Sequence, residues 1–375
     1  MVNRRHFTQL AGLALVAAAR GATEPGGCRV HETRTVSWDA TKYHGWPTVA
    51  RRANGDLLLV CSGGREQHVC PFGRVELMVS HDEGRTWGWP LVVLDSDLDD
   101  RDAGVLETPR GTLLITSFTS LAYEPTLAKA AGWPEDRLRA WQAAHGRLDD
   151  ATRRAQLGQW MIRSEDGGLT WSARYPSLVN SPHGPIALAD GRLLYAGKAL
   201  WTGERNLICE STDDGRTWRE LAEVPTRPGD DAKEGYHELH AVETGDGRLL
   251  VQIRNHSQAD AGETLQCESA DGGKTWTVPK PIGVWGLPSH LLRLRDGRLL
   301  MTYGHRRAPF GNQARLSGDH GRSWSEPMVV SGDGPSGDLG YPSTVELSDG
   351  RLLSVWYEVR PGSPKAVLRQ AIWSL

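Results

Sequence analysis

Three shortages bound this chain before any motif is read. Cysteine is scarce, at 5 residues in 375, and no pair stands in a Cys-x-x-Cys spacing, so the sequence offers no zinc ribbon. Basic charge is not in excess. The net charge of −3 removes the general positive field that a nucleic-acid-binding protein carries. Long apolar runs are missing too. The one conspicuous stretch, Leu13–Ala19, is far short of the roughly 20 residues that span a bilayer.

That stretch follows Arg4 and Arg5. Paired arginines before a short apolar core resemble a twin-arginine export signal. Residues 1–22 are therefore expected to be a signal peptide cleaved between Ala19 and Ala22, leaving a periplasmic or secreted protein. Proteins exported by that route fold first and do not require disulfides. Cys61 and Cys70 remain a candidate bridge, whereas Cys209 and Cys267 stand two residues before the same repeated phrase and read as equivalent buried strand positions.

That phrase is Ser-x-Asp-x-Gly-x-Thr/Ser-Trp. It occurs five times, at Ser80–Trp87, Ser164–Trp171, Ser211–Trp218, Ser269–Trp276 and Ser317–Trp324, and supplies five of the 15 tryptophans. Its chemistry is that of a tight turn. The Asp carboxylate accepts from nearby backbone N–H groups, the Gly takes a positive φ, and the Trp returns a large ring to an apolar layer. These Asp residues read as structural.

A second repeat, an Asp-Gly turn followed by Leu-Leu, interleaves with the first. Its turn glycines are Gly55, Gly111, Gly191, Gly247, Gly297 and Gly350. Asp-Gly between apolar runs is a strong hairpin signal. Six copies, about 50–56 residues apart with one step of 80, suit units of four antiparallel strands. The expectation is an all-β fold, a six-bladed β-propeller over residues 29–375. The last unit has no Asp phrase, so an N-terminal strand near Val30–Trp38 is expected to complete the blade begun at Tyr341. The long step holds a helical insertion in the second blade, about residues 126–159, rich in Ala, Leu, Arg, Glu and Gln. It reads as two short helices, either a cap over one rim or a surface ornament.

Both kinds of turn fall on one face of such a disc. The opposite face then collects the start of each first strand and the end of each second strand. Eight of the 13 histidines lie at those places, namely His44, His68, His183, His237, His240, His256, His290 and His305, together with Arg65, Arg101, Arg254, Arg306, Arg307 and Arg360. Their convergence predicts a polar central pocket for an anionic or sugar-like ligand. A metal bridging His237, His240 or His290 is an alternative that the spacing does not demand, and no metal is assigned. The sequence gives no sign of an organic cofactor.

Asp phrases on a six-bladed propeller, with arginines and a Tyr/Glu pair at the centre, resemble the sialidase (neuraminidase) superfamily over nearly the whole mature chain. The resemblance implies an exo-glycoside hydrolase that cleaves a terminal acidic sugar from a glycan. Tyr341, in Gly340-Tyr-Pro-Ser, matches the nucleophile, and Glu238 in His237-Glu-Leu-His matches its partner. Arg254 matches the second clamp arginine, Arg306 and Arg307 fill the place of a further arginine before the last Asp phrase, and Arg65 matches the arginine that ends the second strand of the first blade. His44, His183, His237 and His290 are further candidates for substrate binding. The chemistry is coherent. A phenol is a weak nucleophile unless a neighbouring carboxylate takes its proton, and guanidinium groups hold a carboxylate in paired hydrogen bonds. Sialidases are the exception to the usual pair of catalytic carboxylates.

Two places depart from the family pattern. His44-Gly45-Trp46-Pro47 stands where an Arg-Ile-Pro opening is usual, and Glu66–Gly73 has no Asp. The acid/base must then be His68 or an Asp from Asp99–Asp102, for which Asp102 is the candidate. The missing groups leave two other readings open. One is a propeller with different glycan chemistry, such as a lyase, another glycosidase or a non-catalytic glycan-binding module. The other is a scaffold for protein partners.

Overall fold

The computed structural model describes residues 27–375. The expected export segment, residues 1–22, lies outside the described residues. Six four-stranded sheets form the blades of a propeller. Their innermost strands are Tyr43–Arg51, Asp99–Glu107, Ile186–Ala187, Tyr236–Glu243, Ser289–Arg293 and Leu339–Glu346. Blade 3 has the shortest of these because Pro182, Gly184 and Pro185 interrupt its ladder. The ring closes as the sequence indicates. Arg29–Thr35 pairs antiparallel with Ala366–Ser374 as the outer strand of blade 6. That blade needs no third-to-fourth turn, which accounts for its missing Asp phrase.

The two repeats interlock between blades. In each phrase the Ser hydroxyl donates to the Asp and accepts from the Gly N–H four residues on, as Ser211 does with Asp213 at 2.8 Å and Gly215 at 2.9 Å. The Asp carboxylate also holds the Thr N–H and hydroxyl, at 2.9 and 2.6 Å for Thr217. The turn so formed presses on the preceding blade. A Cβ at Gly84 would come within 2.2 Å of Leu353, and one at Gly321 within 2.2 Å of Leu250. Both leucines belong to the Leu-Leu of the other repeat. Trp87 donates from Nε1 to Gln370 of blade 6 at 2.7 Å. The core is accordingly a series of apolar clusters between blades.

The insertion lies between the second and third strands of blade 2, as expected, but it holds three helices and not two: α1 (Glu124–Ala128), α2 (Glu135–His145) and α3 (Asp150–Ala155). Gly146 ends α2, and Asp149 caps a new helix by accepting from Thr152 N–H at 2.8 Å. The insertion is anchored to the rim. Trp141 is fully buried with Cys70, Leu98, Leu121 and Tyr123, and its Nε1 donates to Glu66 at 2.6 Å. Cys61 and Cys70 are both free thiols, so the candidate bridge is not formed. Cys209 and Cys267 are buried and free. No helix among the described residues is long and apolar enough to cross a membrane.

Ser211→Ala should lower the unfolding free energy by about 1–3 kcal/mol, because it leaves the buried Gly215 N–H without an acceptor and removes one of the hydrogen bonds that hold Asp213. A denaturant midpoint that falls at unchanged slope is the expected observation. An unchanged midpoint would show that the phrase does not hold the turn.

Candidate active site

The pocket is built by one repeated device. Each blade has a residue nine before its turn glycine, and all of these but Pro288 line one cavity. These residues are Trp46, Asp102, Pro182, Glu238, Pro288 and Tyr341. Four of them are non-glycine residues with positive φ: Trp46 at 52°, Asp102 at 49°, Glu238 at 46° and Tyr341 at 53°. Each falls inside a register shift of its strand, between Gly45 and Thr48, Arg101 and Gly104, His237 and His240, or Gly340 and Ser343. A bulge re-aims a side chain that regular pleating would send elsewhere. A left-handed residue without glycine costs on the order of 1–3 kcal/mol, and such strain clusters at functional sites.

The four side chains line one cavity of about 310 Å³, with His68, Arg101, Asn180, Lys198 and His237 also on its wall. At its floor the Tyr341 hydroxyl donates a short hydrogen bond to Glu238 Oε1. Arg254 donates to the Tyr341 oxygen at 2.9 Å and to Glu238 Oε2 at 2.6 Å. Arg306 lies over the Tyr341 ring at 5.6 Å and donates from Nε to Leu339 O at 2.9 Å. Burial and the charge of Glu238 push the Tyr341 phenol well above its ordinary value. Burial would raise Glu238 as well, but the charge and hydrogen bond of Arg254 outweigh it and hold the carboxyl below its ordinary value. The resting pair is therefore a neutral phenol hydrogen-bonded to a carboxylate.

Asp102 is different. Burial, aided by the charge of Glu238, pushes its carboxyl up to about 7 against the opposing pull of Arg101. Its Oδ1 is buried without a hydrogen-bond partner. One cavity thus holds an ionised Glu and an Asp that keeps its proton to near neutral pH.

Of the residues expected from the sequence, Tyr341, Glu238, Asp102, His68 and His237 line the cavity, and Arg254 and Arg306 meet Tyr341. His68 accepts or donates at 2.8 Å with the Tyr43 hydroxyl and stands 4.9 Å from the Trp46 ring. Burial lowers His237, whose Nδ1 is 3.3 Å from Lys198 Nζ.

The others fall elsewhere. Arg65 is fully buried and forked onto Asp99 at 2.6 and 3.0 Å, which commits it to the neighbouring blade and not to a ligand. Arg307 stacks on Trp285 at 3.6 Å, apart from the cavity wall. His44 is buried against Ser37 at 3.2 Å, because the bulge after it breaks the strand alternation that would have carried it to the axis. His183 and His290 lie below the pocket with His240, their rings 4.6–5.2 Å apart, facing a separate cavity of about 340 Å³. Burial pushes all three down, His290 to about 3. Leu291 N–H donates to His240 Nδ1 at 2.9 Å, which places that ring's proton on Nε2, and His237 is in the other cavity. Among the described residues no group of three or more His, Cys, Asp or Glu side chains is set to hold a metal ion.

Trp46 was not marked by the sequence reading, and Arg101 was marked only as one of the arginines on the pocket face, with no role assigned to it. Trp46 shares the register of Asp102, Glu238 and Tyr341 relative to the turn glycine, and that signal was available.

A family model described as a BNR repeat-like domain matches residues 119–353, which include Glu238, Arg254 and Tyr341. A xyloglucanase from Paenibacillus sp is 29% identical over 142 residues, covering 35% of this chain and 13% of that protein. The chain thus spans only a small part of that relative. Among solved structures, a protein of unknown function from Dyadobacter fermentans is 24% identical, with a TM-score of 0.75 over 93% of this chain and 99% of that one. An intramolecular trans-sialidase from Ruminococcus gnavus is 16% identical, with a TM-score of 0.65 over 95% and 99%. The NanB sialidase from Streptococcus pneumoniae, as a K499G mutant, is 15% identical, with a TM-score of 0.64 over 90% and 69%. At these identities the solved structures establish the fold, while the family match spans more than half of the chain; the protein belongs to the BNR repeat-like family and has the sialidase-like six-bladed propeller.

Proposed function

We propose that this protein is an exported glycoside hydrolase that removes a terminal acidic sugar from a glycan, with Tyr341 as nucleophile. The observation that carries this reading is the hydrogen-bonded set of buried Tyr341 with part-buried Glu238 and Arg254. The twin-arginine pair Arg4 and Arg5 supports action outside the cytoplasm.

In the first step the Tyr341 oxygen attacks the anomeric carbon as its proton passes to Glu238. The Arg254 N–H that already points at that oxygen stabilises the developing negative charge. The bond to the leaving oxygen breaks, and Asp102 delivers its proton there. In the second step the Asp102 carboxylate takes a proton from water, the water oxygen replaces Tyr341 at carbon, and Glu238 returns the proton to the phenolate. A neutral nucleophile suits a sugar that bears a carboxylate near the reacting carbon, since an anionic nucleophile would be repelled.

Purified protein should release the aryl group from an acidic glycoside in a panel that holds a sialoside, a uronoside, a rhamnoside and an arabinoside. Tyr341→Phe and Glu238→Gln should lower the rate by roughly 10³-fold or more while leaving thermal unfolding intact. Unchanged rates in both variants, or silence of the wild type across the panel, would overturn the reading.

The role of Asp102 makes a separate prediction. The acid must be protonated to act, so kcat/KM should fall as pH rises through about 7. Asp102→Asn should lose about 10²–10⁴-fold on a substrate with a poor leaving group and much less on one whose leaving group needs no proton. An equal loss on both would remove Asp102 from the acid position.

A further inference from the structure

Every cation at the catalytic cavity but one has a protein partner among the described residues. Arg254 is paired with Glu238. Arg65, behind Trp46, is paired with Asp99. Lys198 donates to Lys233 O and adjoins His237, and Arg306 donates to Leu339 O. Arg101 alone, on the cavity wall beside Asp102, has neither an ion pair nor a side-chain hydrogen bond, and its Nε is buried without an acceptor.

Its position is nonetheless held. The guanidinium lies 4.5 Å from the centroid of the Trp46 ring, which is itself only 1% exposed. Stacking on an aromatic face fixes the guanidinium plane and leaves its edge N–H groups free, the arrangement that binds a carboxylate in a fork. Among the described residues no carboxylate forms an ion pair with it. The first blade offers the cavity no uncommitted guanidinium, since Arg65 is paired with Asp99. Gly45 stands before Trp46, and a Cβ there would come within 3.1 Å of the Tyr43 ring.

We propose that Arg101, stacked on Trp46, is the receptor for the carboxylate of the bound acidic sugar. The second blade thereby supplies the uncommitted guanidinium that the first blade lacks. The substrate class rests on the hydrolase reading, but the binding itself does not. A carboxylate on Arg101 sits next to the Asp102 proton and across the cavity from Tyr341. The same contact that selects an acidic sugar therefore sets the anomeric carbon between nucleophile and acid. Trp46 acts through Arg101 and is a positioning residue.

Calorimetric titration with N-acetylneuraminate, D-glucuronate and the methyl ester of each tests this without turnover. The wild type should bind at least one free acid more tightly than its ester. Arg101→Gln should weaken that acid by roughly 10–100-fold, the worth of a charge-assisted hydrogen bond, and leave the ester unchanged. Arg101→Lys, which keeps the charge and loses the fork, should fall between. Tyr341→Phe should retain the acid's affinity within about threefold, since a receptor role does not involve the phenol. If Arg101→Gln binds the acid as the wild type does, or loses acid and ester equally, or if the wild type binds neither acid at millimolar concentration, the proposal is wrong. If Arg101→Gln loses the acid while Tyr341→Phe still hydrolyses, the nucleophile assignment falls and the receptor stands. Should Arg101→Gln unfold at a lower temperature, the Lys variant decides alone.

Discussion

The site depends on a single extra residue in the first strand of four blades. Regular pleating points alternate side chains to opposite faces, so an undisturbed strand could not aim a Tyr, a Glu, an Asp and a Trp at one small volume near the axis. The bulge does so, and the ladder on either side holds it. Gly340 pairs with Tyr357 and Ser343 with Val355 around Tyr341, and His237 pairs with Arg254 and His240 with Gln252 around Glu238. The hairpin that begins a few residues later sets the register of those pairs. The Asp-Gly turns that build the blades therefore also fix the address of every residue in the pocket, and Arg254 is brought to Glu238 by pairing of neighbouring strands.

Within that frame, environment separates groups of one chemical kind. Glu238 and Asp102 both present a carboxyl to one cavity. Arg254 contacts the first and holds it ionised; the second lacks such a contact and keeps its proton. Pairs of titratable groups pushed apart in this way are how a protein runs acid and base chemistry together. Arginines are sorted likewise. Arg65 has its charge consumed by Asp99 and stiffens the join between blades 1 and 2, while Arg101, on the same indole ring, is left unpaired.

The repeats made the fold readable, because each copy carries its own turn chemistry and the spacing counts the blades. Tyr341, Glu238 and Arg254 were singled out by resemblance to the sialidase motifs, and the structure brings the three together. What escaped the sequence were partnerships between blades. Nothing local to Arg65 marks Asp99, 34 residues on, as its partner. The clustering of histidines on one face was legible, but its division into two cavities was not. Pro182 lines the upper cavity and His183 the lower, so a single step of the chain separates them. His44 was misplaced because a bulge has no sequence signature apart from the register it disturbs. The third helix of the insertion turned on Asp149, a local cap that a count of helix-forming residues passes over.

The ring is fastened by strand 29–35 lying against 366–374. Those segments stand at opposite ends of the described chain, so the closing ladder cannot form until the last strand has been synthesised. Glu238 and Tyr341 come from blades on either side of blade 5, and Asp102 from across the ring. A nascent or truncated chain can build individual blades from local hairpins, and with blade 4 the Glu238–Arg254 pair, yet Tyr341 and Asp102 meet that pair only across blades. Completion of the pocket is thus tied to the most non-local contact among the described residues. Folding should accordingly be slow for a chain of this size, and the pocket should come into being only when the ring is complete.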